Sequence, residues 1–246
     1  MSAGLALPTR KDEAFRYADI AALETVWPVE AAVIRVPAGG ADALSIVATG
    51  AEAEVRKLAL VLEDGAKFDL RVLNAGTGYG RIDVAVTLGK AAEFTLGAAQ
   101  VAAANGQVLE VVTHVVHAEP DAVSRQIVRS VAGGTATVNY LGKVEVARGA
   151  DGTDGEQSVR AMLLDRSATA NARPELEIYA DDVKCAHGCA VGELDRNGLF
   201  YLQSRGLTPP EAKRLMLQAF IAEAFTGAAD EEALQDAALQ ALGDLL

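Results

Sequence analysis

Residues 177–205 read EIYADDVKCAHGCAVGELDRNGLFYLQSR, and here the patterning of the chain changes from strand-like to helical. This stretch, called the seam below, contains both cysteines of the protein, Cys185 and Cys189, and one of its three histidines, His187. Upstream lie short apolar runs separated by Gly, Asp and Asn, and downstream lie segments with helix start and stop signals. We therefore expect the chemistry of the chain at this junction.

The region upstream of the seam, from about residue 31 to 180, has the pattern of many short strands. Turn residues such as Asn105 and Gly106 separate its apolar runs, and no amphipathic helix of 10 to 15 residues lies between them, which argues against a doubly wound α/β sheet. A sandwich, a barrel and a β-solenoid stay open; the small residues at 133–136 favour the solenoid modestly, although no fixed repeat length is found. The runs are AVIRV, LSIVA, KLALVL, KFDLRVL, RIDVAVTL, EFTLGAAQV, QVLEVVTHVVH, RQIVRSV, ATVNYL, KVEVA and ELEIYA.

The two ends of the chain have helical patterns. Thr9 is placed to cap a short helix within residues 8–26, which Pro28 interrupts. We therefore divide the chain into a helical segment at 1–30, a β core at 31–194 and a helical domain at 195–246.

The C-terminal segment contains signals for three helices. Asp195 begins the first, which ends at Gly206, Thr208 and Glu211 form a capping box for the second, and Asp230 caps the third. The second and third helices are amphipathic, so we expect them to pack on their own domain, with a docking face for another protein as the alternative. Their apolar stripes are Leu217, Phe220, Ile221, Ala224 and Phe225, and Leu234, Ala237, Ala238, Ala241 and Leu242.

Composition indicates a globular protein without a nucleic-acid ligand. Half of the 246 residues are hydrophobic, and the net charge of −12 with a pI near 4.7 disfavours a phosphate backbone, which requires a basic surface. The apolar runs are shorter than the roughly 20 residues needed to cross a bilayer, and the N-terminus lacks a secretory pattern. A cytoplasmic location is the default expectation.

The seam holds three candidate metal ligands in line. In an extended strand Cys185, His187 and Cys189 share one face, and thiolate and imidazole suit zinc, iron or iron-sulfur clusters. Three ligands spread along one strand cannot close around a single ion, so a metal site needs groups from elsewhere. The alternative, which the spacing alone favours, is that these are small core residues and a hydrogen-bonded histidine. The cysteines are about 13 Å apart in a strand, which disfavours an intramolecular disulfide.

Other polar motifs are weaker candidates. Asp181 and Asp182 could act as a carboxylate pair, but a turn or surface role is favoured, and His114 and His117 lie on opposite faces of a strand. The glycine-rich stretch 76–80 leads into a strand rather than a helix, so it does not predict a phosphate site. The sequence has no nucleotide-binding P-loop motif and no nucleophile elbow, so any ATP hydrolysis must come from another chain.

The run PELEIYADDVKCAHGCAVGELDRNGLFYLQSRGL at 174–207 resembles the signature of the SufB/SufD family of iron-sulfur cluster assembly scaffolds. Three further segments agree with this resemblance: LPTRKDEAFRYADI, HAEPDAVSRQIVRSVAGGTATVNYLGKVEV and TDGEQSVRAMLLD. The resemblance implies a right-handed parallel β-helix core flanked by helices. It also implies a non-catalytic scaffold subunit that pairs with SufB, binds the ATPase SufC and helps to build and transfer nascent clusters.

The resemblance also implies site residues. The family's K-C-x-H-G motif maps onto Cys185 and His187, with the histidine as the proposed ligand in cluster formation, and the region that engages SufC maps onto about 207–225. No cofactor is expected to be tightly bound to the isolated chain, a cluster or iron is expected only transiently in the complex, and the isolated chain could form a homodimer. The predicted partner-binding residues are Val183, Cys185, His187, Phe200, Tyr201, Arg205, Leu217 and Phe220.

The sequence departs from the family pattern within the seam. Relatives commonly have H-G-A-T-V-G where this chain has H-G-C-A-V-G, so the resemblance assigns no role to Cys189.

Two other functions are compared with the scaffold. A β-helix carbohydrate-active enzyme would use surface carboxylates such as Asp181 or Asp182. A self-sufficient redox metalloprotein would be coloured and would contain stoichiometric iron when purified.

Overall fold

The computed structural model describes residues 6–76, 78–243 and 245. Thr77 of the glycine-rich stretch, residues 1–5 of the N-terminal segment and residues 244 and 246 of the C-terminal segment lie outside the described residues.

Within these ranges, twelve parallel strands form two six-stranded sheets, with order β1-β3-β5-β7-β9-β11 in one (sheet A) and β12-β10-β8-β6-β4-β2 in the other (sheet B). Consecutive strands alternate between the sheets, so each pair makes one turn of a parallel β-solenoid. The expected solenoid is therefore confirmed over the sandwich and the barrel. The strands are β1 Ala32–Val36, β2 Ala41–Ala48, β3 Glu54–Leu62, β4 Lys67–Asn74, β5 Gly80–Leu88, β6 Glu93–Ala102, β7 Val108–His117, β8 Val123–Ala132, β9 Thr137–Val146, β10 Asp154–Leu163, β11 Thr169–Ile178 and β12 Lys184–Glu193.

The length of a turn changes along the solenoid. Ala32 pairs with Leu58, 26 residues later, whereas Thr137 pairs with Thr169, 32 residues later. This drift explains why the sequence has no fixed repeat length.

Two strands differ from the predicted runs. ATVNYL and KVEVA form one strand, β9, because Gly142 between them is not a turn residue: a Cβ there would overlap the ring of Tyr140. The polar segment of β10 did not stand out as an apolar run, but its Gly155, Gln157 and Val159 are all buried.

The N-terminal segment has two short helical pieces instead of one helix. A 3-10 turn spans Glu13–Phe15, and α1 spans Ile20–Glu24 and is capped by Asp19, whose side chain accepts from the Ala22 amide. The buried Arg81 fixes this segment to sheet A, since its guanidinium donates to the Ala14 carbonyl at 2.8 Å. Because Arg81 also pairs with the buried Glu110 at 3.0 Å, the anchoring charge is compensated.

The three predicted C-terminal helices are confirmed. They are α2 Arg196–Ser204, capped by Asp195, α3 Pro209–Ala222, and α4 Glu231–Gly243. In the capping box before α3, the Thr208 amide donates to the Glu211 carboxylate at 2.8 Å. The side chain of Asp230, the predicted cap of α4, instead accepts from Ser45 in β2 at 2.9 Å.

Helices α3 and α4 pack on the outer face of sheet B. Their apolar stripes share a buried cluster with outward-facing residues of the sheet, so the expectation that they pack on their own domain is confirmed. Two buried arginines add polar anchors: Arg71 donates to the Ala224 carbonyl at 2.8 Å, and Arg129 forms a bidentate pair with Glu223 at 2.7 and 2.8 Å. The backbone also approaches closely, because a Cβ at Gly97 would overlap the Ala224 carbonyl oxygen.

Candidate functional site

The seam forms the last turn of the solenoid. Strand β11 pairs with β9, and β12 pairs with β10, and among the described residues neither strand has a partner on its other side. Both strands therefore present ten-residue edges with backbone donors and acceptors that no further strand of the described chain satisfies. We call this pair of edges the open end.

The cysteines and His187 lie on the face of β12 that the sequence predicts. In the parallel register, Cys185 pairs with Gly155 and His187 pairs with Gln157 of β10. These β10 partners are buried and face the lumen of the solenoid, and so does Val159, the partner of Cys189. The three candidate ligands therefore extend the lumen-facing rows to the open end.

The two thiols differ in their surroundings. Cys185 is half-buried and packs against the lumen core, and its Sγ lies 3.5 Å from the position that a Cβ on Gly155 would occupy. Burial raises the pKa of this thiol, and the charge of Asp154 adds to that effect. Cys189 is exposed, and partial burial raises the pKa of its thiol as well. Neither cysteine is in a disulfide, and a raised pKa favours the protonated thiol over the thiolate at both positions.

His187 is exposed above a buried polar network of the lumen. Gln157, directly below it in the register, donates through Nε2 to the hydroxyl of Tyr140 at 3.1 Å. Tyr140 in turn lies 3.1 Å from the hydroxyl of Thr113 and 3.4 Å from Oε1 of Gln126. The sequence does not predict this network, because its members lie on different strands and only the pairing of those strands brings them together.

No group of three or more histidine, cysteine, aspartate or glutamate side chains in residues 6–76, 78–243 and 245 could hold a metal ion. Cys185, His187 and Cys189 follow one another along β12 and do not converge on a point. As a donor set, the seam supplies imidazole and thiol groups to part of a coordination sphere, and additional ligands would have to approach from beyond the open end.

The remaining candidate residues are placed apart from the seam or on its surface. Asp181 and Asp182 are exposed in the bend between β11 and β12, as the turn interpretation predicts. His114 is exposed and lies 3.0 Å from Glu145, whereas His117 is buried and lies 2.9 Å from the hydroxyl of Ser124, so the two histidines do face opposite sides of β7.

The predicted partner-binding residues fall into two groups. Phe200, Tyr201 and Arg205 are exposed on or just after α2, where the Arg205 guanidinium stacks on the ring of Tyr201 at 5.1 Å. Leu217, in contrast, is fully buried in the cluster between α3 and sheet B, and Phe220 packs against the same cluster. For Leu217 the prediction is wrong, because the side chain has no surface left for a partner.

Apolar side chains are unusually exposed around the open end. Of the large hydrophobic side chains that remain exposed, five lie between residues 178 and 201, on the last turn and the helix after it. Exposed large apolar side chains concentrated in one part of a fold indicate a candidate protein interaction site. These residues are Ile178, Tyr179, Val191, Phe200 and Tyr201.

Comparison with known proteins defines the class to which this fold and seam belong. The family model described as "SUF system FeS cluster assembly, SufBD core domain" matches residues 46–220, well over half of the chain. The chain therefore belongs to the SufBD core family of iron-sulfur cluster assembly proteins.

Individual relatives include members of the SufD type. The chain is 37% identical over 123 residues to the iron-sulfur cluster assembly protein SufD of Escherichia coli (strain K12), which covers 50% of this chain and 29% of that protein. It is 38% identical over 120 residues to protein ABCI7, chloroplastic, of Arabidopsis thaliana, covering 48% of this chain and 25% of that protein. It is 31% identical over 158 residues to the SufBD family protein slr0076 of Synechocystis sp., covering 64% of this chain and 35% of that protein. The matches thus span about a third or less of these relatives.

No described helix is both long enough and apolar enough to span a membrane.

Proposed function

We propose that this chain is a non-catalytic scaffold subunit of the SUF iron-sulfur cluster assembly complex, in which the cluster is cargo. The observation that carries the proposal is the position of His187 and Cys185, which lie on a lumen-facing row that ends at an unpaired sheet edge. Such a half-set of ligands can serve cluster assembly when a second protein completes it. His187 is the primary ligand, and Cys185 is the second.

The open end is the surface on which the related scaffold subunit SufB would dock. An open edge of a parallel sheet favours pairing with another strand, since the partner satisfies the backbone groups in a row. Cys185 and the exposed Val191 lie on this edge, Val183 lies immediately before it, and all three provide apolar contacts. A second copy of this chain could occupy the same edges, which would account for a homodimer in the absence of SufB.

Helices α2 and α3 are the surface proposed for the ATPase SufC. Phe200 is 73% exposed, and Leu215 on α3 is 46% exposed, so both present apolar area to a partner. Tyr201 and Arg205 form a stacked pair beside Phe200. Because Leu217 and Phe220 hold α3 on sheet B, their role in binding is to fix the helix that presents Leu215.

Co-expression with SufB and SufC, followed by purification on a tag carried by this chain, tests the proposal. We expect both proteins to co-purify. Substitution Val191→Lys places a charge at the open end and should abolish SufB recovery, whereas Val47→Lys, at a similarly exposed valine of β2, should retain it.

Matched substitutions also test the SufC surface. Phe200→Asp should lower SufC recovery while SufB still binds, and Val33→Asp, at a 70% exposed valine of β1, should change neither. Failure of SufB and SufC to co-purify with the unsubstituted chain would overturn the assignment.

A further inference from the structure

We propose that the two strands of the open end are not equivalent: β12 is a docking strand that a second copy of this chain extends in antiparallel register, whereas Pro174 closes β11 to strand addition. The twofold axis of the resulting dimer passes through Cys189. The inference is carried by the directions of the backbone groups at the two edges, so it is independent of any role of His187 in cluster formation.

Alternate residues of β12 direct their backbone groups away from the solenoid. The amide of Lys184 donates to the Thr153 carbonyl at 2.8 Å, so the even-numbered residues of β12 bond to β10. The residues between them point their N–H and C=O groups to the opposite side, which at this strand is the open end. These five outward residues form an unbroken row of donors and acceptors, since none of them is proline. They are Cys185, His187, Cys189, Val191 and Glu193.

The corresponding row on β11 is interrupted. The Thr169 amide donates to the Ala136 carbonyl at 2.9 Å, so the odd-numbered residues of β11 bond to β9. Pro174 is even-numbered and therefore lies in the outward row, where it has no N–H to donate. A strand added here would leave a carbonyl unpaired near the middle of the edge, at a cost of about 1–3 kcal/mol. Proline in an edge strand is one of the devices by which proteins prevent edge-to-edge pairing.

The edge of β12 is complementary to a second copy of itself. A twofold axis brings the β12 strands of two copies together antiparallel, and a contact of this type closes as a dimer. In one register all five outward residues are paired: Cys189 lies opposite Cys189 of the second copy, and His187 lies opposite Val191. A shift of the register by two residues leaves an outward residue at one end of each β12 strand without a partner in the other.

The side chains of β12 favour the same pairing. Lys184 and Glu193 are its first and last residues and its only lysine, arginine, aspartate or glutamate. The antiparallel register brings Lys184 of one copy to the end where Glu193 of the other lies, so no like charges are opposite each other. Val191, which is 47% exposed in the single chain, is covered in the dimer.

The two cysteines of the seam report the register directly. Opposed residues of the hydrogen-bonded type have Cα atoms about 5.5 Å apart in an antiparallel pair, which suits a disulfide between the two Cys189 residues. The two Cys185 residues would be about 27 Å apart at about 3.4 Å per residue. The pairing itself is non-covalent, so Cys189 is exposed in the dilute chain and faces its counterpart only when the chain is concentrated.

Light scattering and oxidative cross-linking of the isolated full chain test the proposal. We expect the reduced, concentrated chain to have twice the chain mass of 25.6 kDa. Diamide should then join two Cys189 Sγ atoms, while the protons and electrons of the two S–H bonds reduce the N=N bond of the reagent. On non-reducing gels the cross-linked dimer should form in wild type and in Cys185→Ser, and it should be lost in Cys189→Ser.

A cysteine elsewhere on β12 is the control for random collision. Ala186 is exposed on the same strand but lies three residues from the axis, so two copies of this position are about 20 Å apart. Ala186→Cys, introduced into the chain that lacks both natural cysteines, should not cross-link. Cross-linking of this variant at the wild-type yield would overturn the register.

Two matched proline substitutions test the difference between the edges. Val191→Pro removes an outward N–H of β12, and Ala172→Pro removes an outward N–H of β11; neither removes a bond within the solenoid. Val191→Pro should lower the yield of the Cys189 cross-link at least about 10-fold, because each dimer loses two backbone bonds. Ala172→Pro should leave the yield unchanged, and an equal loss in both variants would overturn the assigned role of β12.

Wild-type chain alone also decides the matter, without any variant having to fold. A monomer at high concentration, or a disulfide between Cys185 and Cys189 of two copies, would overturn the proposal, since the latter places the axis at His187. A series of larger oligomers would overturn it as well, because it indicates head-to-tail stacking of β12 on β2. If the dimer forms as described but SufB does not co-purify with the chain, only the proposed function fails. If SufB co-purifies and the dimer is absent, only this inference fails.

Discussion

Removal of the Arg129 side chain should weaken the attachment of the C-terminal helices to the solenoid. Arg129 is fully buried on β8, forms two bonds to the Glu223 carboxylate, and also donates to the carbonyls of Val128 and Ser158 at 2.8 Å. Arg129→Ala removes the charge-assisted bonds to Glu223 and the bonds to the Val128 and Ser158 carbonyls. The Glu223 side chain is 44% exposed and regains water in the variant. The free energy of unfolding should therefore fall by about 3 kcal/mol, which is the lower end of the range for a broken buried ion pair.

Thermal and urea unfolding of the chain measure this effect. For a protein of this size, about 3 kcal/mol corresponds to a fall in Tm of roughly 6–12 °C. The control is Arg125→Ala on the same strand. Arg125 bonds Asp154 in a similar way, but its side chain is 40% exposed, so its removal should lower the free energy of unfolding by less than about 1 kcal/mol. Equal losses for the two variants, or a loss below about 1 kcal/mol for Arg129→Ala, would refute the anchoring role.

Three other expectations concern individual residues. Burial lowers the pKa of His117 to about 4, so between pH 6.5 and 4 the unfolded chain binds a proton that the folded chain does not. As the pH falls through that window, the free energy of unfolding of the wild type should decrease by roughly 3 kcal/mol more than that of His117→Gln, as measured by urea titration. Parallel pH profiles for the two proteins would contradict this. The exposed Cys189 should react with iodoacetamide faster than the half-buried Cys185, as followed by peptide mass spectrometry, and the reverse order would contradict the assigned burial. Gly97→Ala should cost about 1–3 kcal/mol because its Cβ meets backbone, whereas Gly188→Ala, with open space around it, should be neutral in the same unfolding assay.

The strand pattern of the sequence predicts the solenoid only in part. Alternation predicts the strands and the shared face of Cys185, His187 and Cys189, since side-chain direction in a strand depends on local geometry alone. It does not predict where one strand ends and the next begins. Gly142 looks like a turn residue in the sequence, yet it lies within β9 because Tyr140 occupies the space of its missing Cβ.

The sequence predicts the candidate ligands, but it does not predict the buried polar network beneath them. The seam motif identifies His187 directly, whereas Gln157 lies in a polar segment that resembles a loop. Its burial follows from pairing with residues some 30 positions away, such as Gln126, and such a register cannot be read from a chain without a fixed repeat. Leu217 was misassigned for a related reason, since an apolar helix stripe does not reveal whether its own sheet or a partner covers it.

We propose that His187 contributes to cluster formation without being needed for folding or assembly. The most direct measurement is the iron and acid-labile sulfide content of the complex purified after co-expression with SufB and SufC. His187→Ala should co-purify normally and contain iron and sulfide near background, while His114→Ala, an exposed histidine on β7, should match wild type. A fully assembled His187→Ala complex with wild-type cluster content would contradict the account.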